Sequence, residues 1–566
     1  MKFNKIIFLV VITLILLIGG YLRLANLTNN PNGLYVDEAA TGYNAWSLLL
    51  TGKDEYGKDF PISLRFFGSY TPPLYTYLTI LPIKFFDLSI FSVRLTSAVS
   101  GILLILVFYY FIKSLDIFRK QTILMATFLF AITPGAIFYS RIGYEINLAF
   151  LLYSLGVLFL WLSLKKSFNF LIIAVSFLAI SAYAYHAQRL LVPLTMITFL
   201  VLFKNEFLKI KNIKIMIIST LVYLLIILPQ LIIFFTPANY SRGLGLFYTE
   251  VILDQVKNNP LPPILTIPTL FIKEFSSQYL SYLNPRNLFF QPDSDPQRSF
   301  PELSVFYPWM VILYFLGIWT FLKNKNLNIK KFILMLLIIT PIPASFAKDP
   351  FSTQRSLPVI LPLMIVFTFG VEKLLLKNEG DFLSFGNKKG IFIILIFTIL
   401  SFTTLYRSMA VLMPNERATN WGYGFDQLAQ EIKNRPLDQF LIDTSRMKPA
   451  YIELAFFLKY PPDKLQKVVN QSIKDNYYEN VIWDSHYKFE NIETRAINWE
   501  RDIYKEQILV GDELAISEGQ AKEHFLTEIF TIKSFTNEVI FQGFKTNPVL
   551  KCQSSTNIKQ CQKFSI

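Results

Sequence analysis

Cysteine is scarce in this sequence of 566 residues, and the two present, Cys552 and Cys561, both lie near the C-terminus. Several enzyme motifs are missing altogether, since the chain has no Walker loop, no GxSxG, no HExxH and no zinc-type Cys/His spacing. These absences argue against ATP hydrolysis and zinc chemistry. Charged residues are rare within the long apolar runs, which disfavours a transporter with ionisable groups at mid-membrane.

Apolar residues dominate what is present. Hydrophobic residues make up 53% of the chain, aromatic residues 16%, and the mean hydropathy is +0.40. The net charge is +14, but the lysines form short clusters between apolar runs, as in cytoplasmic loops. The basic balance therefore does not indicate a nucleic-acid partner. We expect a mainly α fold, a polytopic membrane helical bundle.

The apolar runs predict about eleven membrane-spanning helices. The first is expected to be uncleaved, because no small-residue cleavage site follows it. A shorter run at 72–86 contains three prolines and is predicted to be a surface helix instead. The predicted spans lie near 5–22, 89–112, 121–139, 146–164, 168–185, 190–203, 213–235, 303–322, 331–347, 355–376 and 390–410.

Basic residues predict the orientation of these spans. The gaps on the side of the N-terminus hold most of the lysines and arginines, whereas the short gaps on the other side hold only Arg141, Arg189, Lys348 and Arg355. This asymmetry predicts a multi-pass protein of the cell (plasma) membrane with a cytoplasmic N-terminus. The first loop, 23–88, and the C-terminus are then outside. A long external loop at 236–302 is expected to form an irregular cap.

The composition changes to that of a soluble domain after residue 412. Helical and strand patterns alternate there, which predicts an extracytoplasmic α/β domain over 413–566, following a membrane module over 1–412. In an oxidising compartment the two cysteines could form a disulfide, and the alternative is two free thiols. The predicted elements are Phe425–Lys433, Gln439–Asp443, Ile452–Lys459, Glu506–Val510 and Glu528–Phe535.

Asp37 and Glu38, next to Tyr35, are the strongest candidates for chemistry. Ala39, Tyr43, Trp46 and Leu50 follow at helical spacing, which predicts a helix lying on the bilayer with its aromatic face towards lipid. Two carboxylates would then lie where water meets the membrane. Capping of this helix is the simpler explanation for one acid, and the two roles are compatible.

Further candidates gather in the other external segments. Glu145 opens the fourth predicted span, where it could cap the helix or hold an acceptor hydroxyl or a divalent ion. The planar guanidinium groups of three arginines in these segments are suited to binding phosphate oxygens, although each could also reach lipid headgroups. His186 and the tyrosines could equally belong to an interfacial belt. The phosphate candidates are Arg65, Arg189 and Arg355, and the pocket candidates are Tyr35, Tyr70, Arg141, Tyr144, Tyr183 and His186.

The order and sidedness of these motifs resemble the GT-C membrane glycosyltransferases. Within them, the resemblance is to family 39, which contains protein O-mannosyltransferases and the lipid A aminoarabinose transferase. It covers the membrane part of the chain. The motifs that carry it are Tyr21-Leu22-Arg23, Asp37-Glu38, Pro72-Pro73-Leu74-Tyr75, Ser92-Val93-Arg94-Leu95, Ser140-Arg141-Ile142-Gly143-Tyr144-Glu145, and Arg189-Leu190 with Pro193.

The resemblance implies transfer of a sugar from a polyprenyl-phosphate donor to an acceptor protein, lipid or glycan outside the cell. Asp37 would be the general base, supported by Glu38, and Glu145 would match the acid after the third span. No cofactor is required by it, although the three acids could hold a divalent metal. Related enzymes often have Lys or His before the proline pair, whereas this chain has Thr71, so other arginines would bind the donor phosphate.

Two other functions remain as alternatives. One is a transporter or flippase for a lipid-linked or anionic substrate. The other is a non-catalytic membrane anchor that presents the C-terminal domain to a partner.

Overall fold

The structure is a computed structural model, and it consists of two compact units. The first comprises residues 1–27, 71–75 and 94–411, and the second comprises residues 28–70, 76–93 and 412–566. The residues that the structure describes are 5–207, 209–240, 247–257, 259, 261–349, 351–376, 386–446, 449–469, 471–483, 486–554 and 561.

The first unit is helical. Helices Met310–Leu322 and Ile360–Leu375 approach each other closely at Gly317. A Cβ at this position would lie only 2.3 Å from the carbonyl oxygen of Val366. Small residues allow such packing where helices lie side by side. Its helices are Lys5–Leu24, Ile90–Ser114, Lys120–Ala131, Pro134–Arg141, Glu145–Lys165, Phe170–Ser181, Gln188–Leu202, Lys204–Phe207, Ile210–Phe234, Pro237–Tyr240, Thr249–Lys257, Pro263–Ser281, Met310–Leu322, Leu327–Ile339, Thr353–Ser356, Ile360–Leu375 and Gly386–Tyr406.

Seven helices within the described residues are long and apolar enough to cross a membrane, and the bent pair Lys120–Ala131 and Pro134–Arg141 makes an eighth. The predicted membrane helical bundle is therefore confirmed. Three of the eleven predicted spans correspond to shorter apolar helices, which are Phe170–Ser181, Gln188–Leu202 and Met310–Leu322.

The loop at 236–302 is not the irregular cap that we expected. Its described part contains three α-helices, of which Pro263–Ser281 is the longest. The segment is rich in proline, which is compatible with the start of a helix. Pro263 occupies the first position of the helix, where a backbone N–H has no intrahelical acceptor and proline is favoured.

The second unit contains the predicted α/β region. Helices Phe425–Asn434 and Ala450–Leu458 and strands Phe440–Ile442, Ile508–Gly511 and Thr527–Lys533 confirm the five predicted elements. The central strand, Phe440–Ile442, pairs in parallel with both neighbours, and the outer pairs are antiparallel. The six-stranded sheet has the order Tyr487–Phe489, Ile492–Thr494, Phe440–Ile442, Ile508–Gly511, Val539–Lys545 and Thr527–Lys533.

Short elements complete the second unit. One face of the sheet covers a core of Leu441, Leu509 and Phe544. A disulfide joins Cys552 and Cys561. The other elements are helices Val36–Thr51, Leu74–Phe86, Met413–Arg417, Pro462–Val468, Gln471–Asp475, Glu518–Glu523 and Pro548–Ser554, and the two-stranded sheet of Leu64–Phe66 and Ser69–Thr71.

Most of the segment 23–88, namely residues 28–70 and 76–88, lies in this second unit. Helix Val36–Thr51 does not keep its aromatic face free for lipid. Tyr43 is fully buried, and its hydroxyl donates a 2.7 Å hydrogen bond to the carbonyl oxygen of Tyr460. A Cβ on Gly42 would lie 2.6 Å from the ring of Phe456. The C-terminal segment of the chain therefore covers Tyr43 on this face, whereas Leu50 at its far end is 57% exposed.

Candidate functional site

The two adjacent acids occupy different environments in the second unit. Tyr35 is the N-cap of helix Val36–Thr51, and its backbone N–H donates a 3.1 Å hydrogen bond to Oε2 of Glu38. Glu38 is fully buried, whereas Asp37 and Tyr35 are half-buried. Glu38 therefore caps the helix, as a third-position glutamate does in a capping box. Asp37 lies in the first turn, where the helix dipole stabilises a negative charge.

Arg65 and Tyr70, in the same unit, bond to backbone carbonyl groups of the C-terminal segment. Arg65 is fully buried, its Nη2 donates to the carbonyl oxygen of Ile482 at 2.7 Å, and its guanidinium lies 4.7 Å from the centre of the Tyr56 ring. The Tyr70 hydroxyl donates to the carbonyl oxygen of Asn480 at 2.9 Å. These contacts hold the loop 64–70 against residues 480–482.

A group of buried acids in this unit was missed by the sequence analysis. Asp54 is fully buried, and its carboxylate accepts hydrogen bonds from the backbone N–H of Lys58 at 2.8 Å and from the hydroxyl of Tyr477 at 2.5 Å. Burial raises the pKa of Asp54 from 3.8 to about 6, and these hydrogen bonds partly oppose the shift.

The adjacent Glu55 is also buried, and Asn44 and Tyr451 donate to its two oxygens at 3.0 and 3.2 Å. A second pair of neighbouring acids, directly after a helix, was the available signal in the sequence. Burial itself could not be inferred, because Tyr451 and Tyr477 lie about 400 residues further along the chain.

In the first unit, Arg141 holds the end of the first helix. It is buried, Nη1 donates to the carbonyl oxygen of Leu22 at 2.9 Å, and Nη2 donates to those of Ala25 at 2.8 Å and Asn26 at 3.2 Å. The last carbonyls of a helix lack intrahelical partners, and a cation there is favourable. The contacts of Arg141 are therefore those of a C-terminal cap.

Arg23 and Arg94 also donate hydrogen bonds to backbone carbonyl groups at or near the end of the first helix. Nη1 of Arg23 donates to the carbonyl oxygens of Gly19 and Ala131 at 2.9 and 2.8 Å, and Nη1 of Arg94 donates to that of Leu27 at 3.1 Å. Both side chains are fully buried. Three arginines of the motifs that carry the family resemblance thus surround the end of helix Lys5–Leu24.

The next candidates in the first unit are Tyr144, Glu145, Tyr183 and His186. Tyr144 is buried and is the N-cap of helix Glu145–Lys165, while Glu145 is half-buried at its first position. Tyr183 donates its hydroxyl proton to the carbonyl oxygen of Ile226 at 2.6 Å, and His186 is half-buried. The helix N-terminus favours a carboxylate at position 145, because the helix dipole stabilises its negative charge.

The two remaining phosphate candidates differ in their partners. Arg355 forms a 2.7 Å ion pair with Asp349, whose carboxylate also lies 3.4 Å from Arg298. Arg189 is half-buried, and its Nη1 donates to the amide oxygen of Asn239 at 2.7 Å. Among the residues that the structure describes, no carboxylate pairs with Arg189, and its Nε has no acceptor. The positive charge of Arg189 is therefore not neutralised by this part of the chain.

Clustered metal ligands are not evident among the described residues of either unit. No group of three or more His, Cys, Asp or Glu side chains within the described ranges is arranged to hold a metal ion.

Comparison with known proteins identifies the fold. No family model and no curated protein matches the sequence. Among solved structures, ArnT from Cupriavidus metallidurans bound to undecaprenyl phosphate aligns with a TM-score of 0.52 at 11% identity, over 94% of this chain and 97% of that one. The chain has a GT-C fold. At this identity the GT-C likeness describes architecture alone.

A second GT-C structure is similar at a lower score. AglB, the archaeal oligosaccharyltransferase from Archaeoglobus fulgidus in complex with an inhibitory peptide and a dolichol-phosphate, gives a TM-score of 0.48 at 13% identity. The alignment covers 81% of this chain and 64% of AglB.

Proposed function

We propose that the protein is a membrane glycosyltransferase that moves a sugar from a polyprenyl-phosphate donor to an acceptor hydroxyl on the extracytoplasmic side. The observation that carries the proposal is Arg189, whose charge has an amide partner but no carboxylate among the described residues. A guanidinium binds two phosphate oxygens at once and stays charged next to lipid. The ArnT structure that shares this fold was solved with undecaprenyl phosphate, a ligand of this chemical class.

The proposed reaction is a single displacement. The carboxylate of Asp37 takes the proton of the acceptor hydroxyl while the acceptor oxygen bonds to the anomeric carbon. The bond between that carbon and the phosphate oxygen breaks, and its electron pair leaves with polyprenyl phosphate. Arg189, assisted by Arg355, stabilises the charge that develops on the phosphate. The reaction inverts the anomeric configuration and forms no covalent intermediate with the protein.

The roles of the two neighbouring acids follow from their contacts. Glu38 is occupied by the N-cap hydrogen bond, so it supports the helix that carries Asp37. Asp37 is the half-buried member of the pair, and it is the one to which the contact with the acceptor is assigned. Glu145, also half-buried at a helix N-terminus, is proposed to orient the acceptor or the sugar. Tyr144, Tyr183 and His186 are proposed to contribute to the same pocket as Glu145.

Membrane sidedness and family are part of the proposal. The distribution of lysine and arginine supports a cytoplasmic N-terminus and an extracytoplasmic C-terminal domain. Membership of family 39 within the GT-C superfamily is supported by the order of the motifs along the chain. The partners are then a polyprenyl-phosphate sugar, membrane lipid, and an acceptor protein, lipid or glycan.

The test is transfer by the purified protein. The full chain in detergent is incubated with a radiolabelled polyprenyl-phosphate sugar and a membrane extract as the source of acceptor. Asp37→Asn is expected to abolish transfer, and Arg189→Gln to lower it at least about tenfold, because each removes a charge used in the transition state. Asp59→Asn, which changes an exposed acid of the same loop, and Arg286→Gln, which changes an exposed arginine, are the matched controls.

Three outcomes would contradict the proposal. Full transfer activity in Asp37→Asn would remove the general base. Movement of the lipid-linked sugar across vesicles without transfer would favour the transporter hypothesis. Rescue of a deletion strain by residues 413–566 alone would favour the anchor hypothesis instead.

A further inference from the structure

A long apolar groove lies in the first unit, lined by none of the predicted site residues. It runs between helices Ile90–Ser114 and Glu145–Lys165 and has a volume of about 750 Å³. Its walls are aliphatic and aromatic side chains, among them Leu103, Leu155 and Phe159. Leu103 is 42% exposed and Leu155 is half-buried, so the groove is open at the outer surface of these two helices.

One end of this groove is basic. Lys113, Lys165 and Lys166 line it there, all with exposed side chains. Among the described residues that line this end, Asp116 is the one acid, and its carboxylate lies 3.9 Å from Nζ of Lys165 with 82% of the side chain exposed. Nζ of Lys113 lies 3.3 Å from the hydroxyl of Tyr109. Three lysines against one aspartate leave this end with a positive charge.

The length of the groove matches one leaflet of a bilayer. Leu103 and Lys113 are ten positions apart on one helix, which corresponds to about 15 Å at the rise of an α-helix. The hydrocarbon core of a bilayer is about 30 Å thick, so half of it is about 15 Å. The basic end lies at the C-terminal end of helix Glu145–Lys165 and therefore at the opposite end of this helix from Glu145.

We propose that this groove binds one anionic phospholipid. An acyl chain lies along the apolar walls, and the phosphate of the headgroup is held by Lys113, Lys165 and Lys166. Each lysine near an anionic headgroup contributes attraction, and basic pockets between membrane helices suit such lipids. The positive balance favours a headgroup with a net negative charge over a zwitterionic one. By the distribution of basic residues the lipid belongs to the cytoplasmic leaflet, away from the proposed donor phosphate.

The experiment compares lipids of equal chain length on the purified full chain. Native mass spectrometry of the protein in detergent measures binding of phosphatidylglycerol and phosphatidylethanolamine, with inorganic phosphate as a soluble competitor. The wild type is expected to retain phosphatidylglycerol preferentially. The triple variant Lys113→Gln, Lys165→Gln, Lys166→Gln should weaken phosphatidylglycerol binding about tenfold or more.

A second variant tests the groove without touching its charges. Leu155→Trp places a larger side chain in the apolar wall and is expected to lower retention of both lipids. Lys388→Gln with Lys389→Gln, which changes exposed lysines outside the groove, is the control and should bind phosphatidylglycerol like the wild type. Thermal unfolding of each variant establishes that it is folded.

Several results would overturn the proposal. Equal retention of the two lipids by the wild type would leave no headgroup preference. Displacement of phosphatidylglycerol by inorganic phosphate would indicate a site for a soluble anion. Unchanged binding in Leu155→Trp would place the lipid elsewhere. The comparison of the two lipids on the wild type decides the headgroup question even if the triple variant does not fold.

Discussion

The contacts of Arg141 predict that it stabilises the fold, and this can be separated from a role in binding the acceptor. Its guanidinium donates to three backbone carbonyl oxygens and is buried. In Arg141→Gln those carbonyls lose a charged donor, at about 1.5–3 kcal/mol per hydrogen bond, though such terms are not additive. We expect a net loss of about 3 kcal/mol or more, because a buried carbonyl oxygen left without a donor costs about 1–3 kcal/mol.

Arg119 provides the matched control. Its Nε pairs with Oε1 of Glu372 at 2.7 Å, and 36% of its side chain is exposed. A partly exposed ion pair contributes about 1 kcal/mol or less, so Arg119→Gln should cost little. Both residues are arginines of the first unit, and both variants remove one positive charge, so the difference between them isolates burial and backbone bonding.

Thermal unfolding in detergent, followed by intrinsic fluorescence, measures the effect. The Tm of Arg141→Gln should fall by about 5 °C or more, and that of Arg119→Gln by much less. A residue that only contacts the acceptor would behave differently, because its replacement would lower transfer and leave Tm unchanged. If Arg141→Gln unfolded at the same temperature as Arg119→Gln, the capping explanation would be refuted.

Three further predictions concern the second unit. The raised pKa of Asp54 means that its neutral form is favoured in the fold, so its contribution to stability is complete below pH 3.8 and is lost as the pH rises to about 6, by up to about 3 kcal/mol. The variant Asp54→Asn should therefore show a smaller decrease of Tm between pH 4 and 7 than the wild type, and an equal decrease would contradict this. Gly42→Ala should lower Tm, since its Cβ would lie 2.6 Å from the Phe456 ring, whereas Gly519→Ala, whose Cβ meets nothing closer than 3.9 Å, should be neutral or slightly stabilising. Thiol titration of the unfolded chain should detect Cys552 and Cys561 only after reduction, and two reactive thiols without a reductant would exclude the disulfide.

Much of the fold was predictable because its helices and strands have simple periodicities. Long apolar runs produced the membrane helices, and alternation of helix and strand patterns predicted the C-terminal domain. The partner of an amphipathic face was not predictable in the same way. The helical spacing of Tyr43 and Trp46 indicates that one face of this helix is buried. The spacing does not indicate whether lipid or protein covers that face. The hydrogen bond to Tyr460 joins residues 417 positions apart, and no local pattern contains that information.

The candidate site was predictable as a set of residue types and not as a set of roles. Asp37 and Glu38 are neighbours in sequence and equivalent in chemistry. The capping bond from the Tyr35 N–H occupies Glu38, because a third-position side chain reaches back to the N-cap while a second-position side chain does not. This difference is inherent in helix geometry, so the assignment could have been made once the N-cap was located at Tyr35.

The arginines extend this argument to the phosphate site. The sequence presents Arg65, Arg189 and Arg355 as equal candidates, since the charge rule predicts that all three are external. Their value as phosphate ligands depends on what already neutralises or engages each guanidinium. A backbone carbonyl binds Arg65, and a carboxylate pairs with Arg355.

Arg189 differs because its partner within the described residues is a neutral amide, that of Asn239. An amide fixes the orientation of a guanidinium without cancelling its charge, which leaves the full electrostatic attraction for an anion. A half-buried cation is costly unless an anion joins it, so the protein recovers that cost when a phosphate binds. The same reasoning ranks Arg355 second, because a phosphate there must compete with Asp349 for the guanidinium.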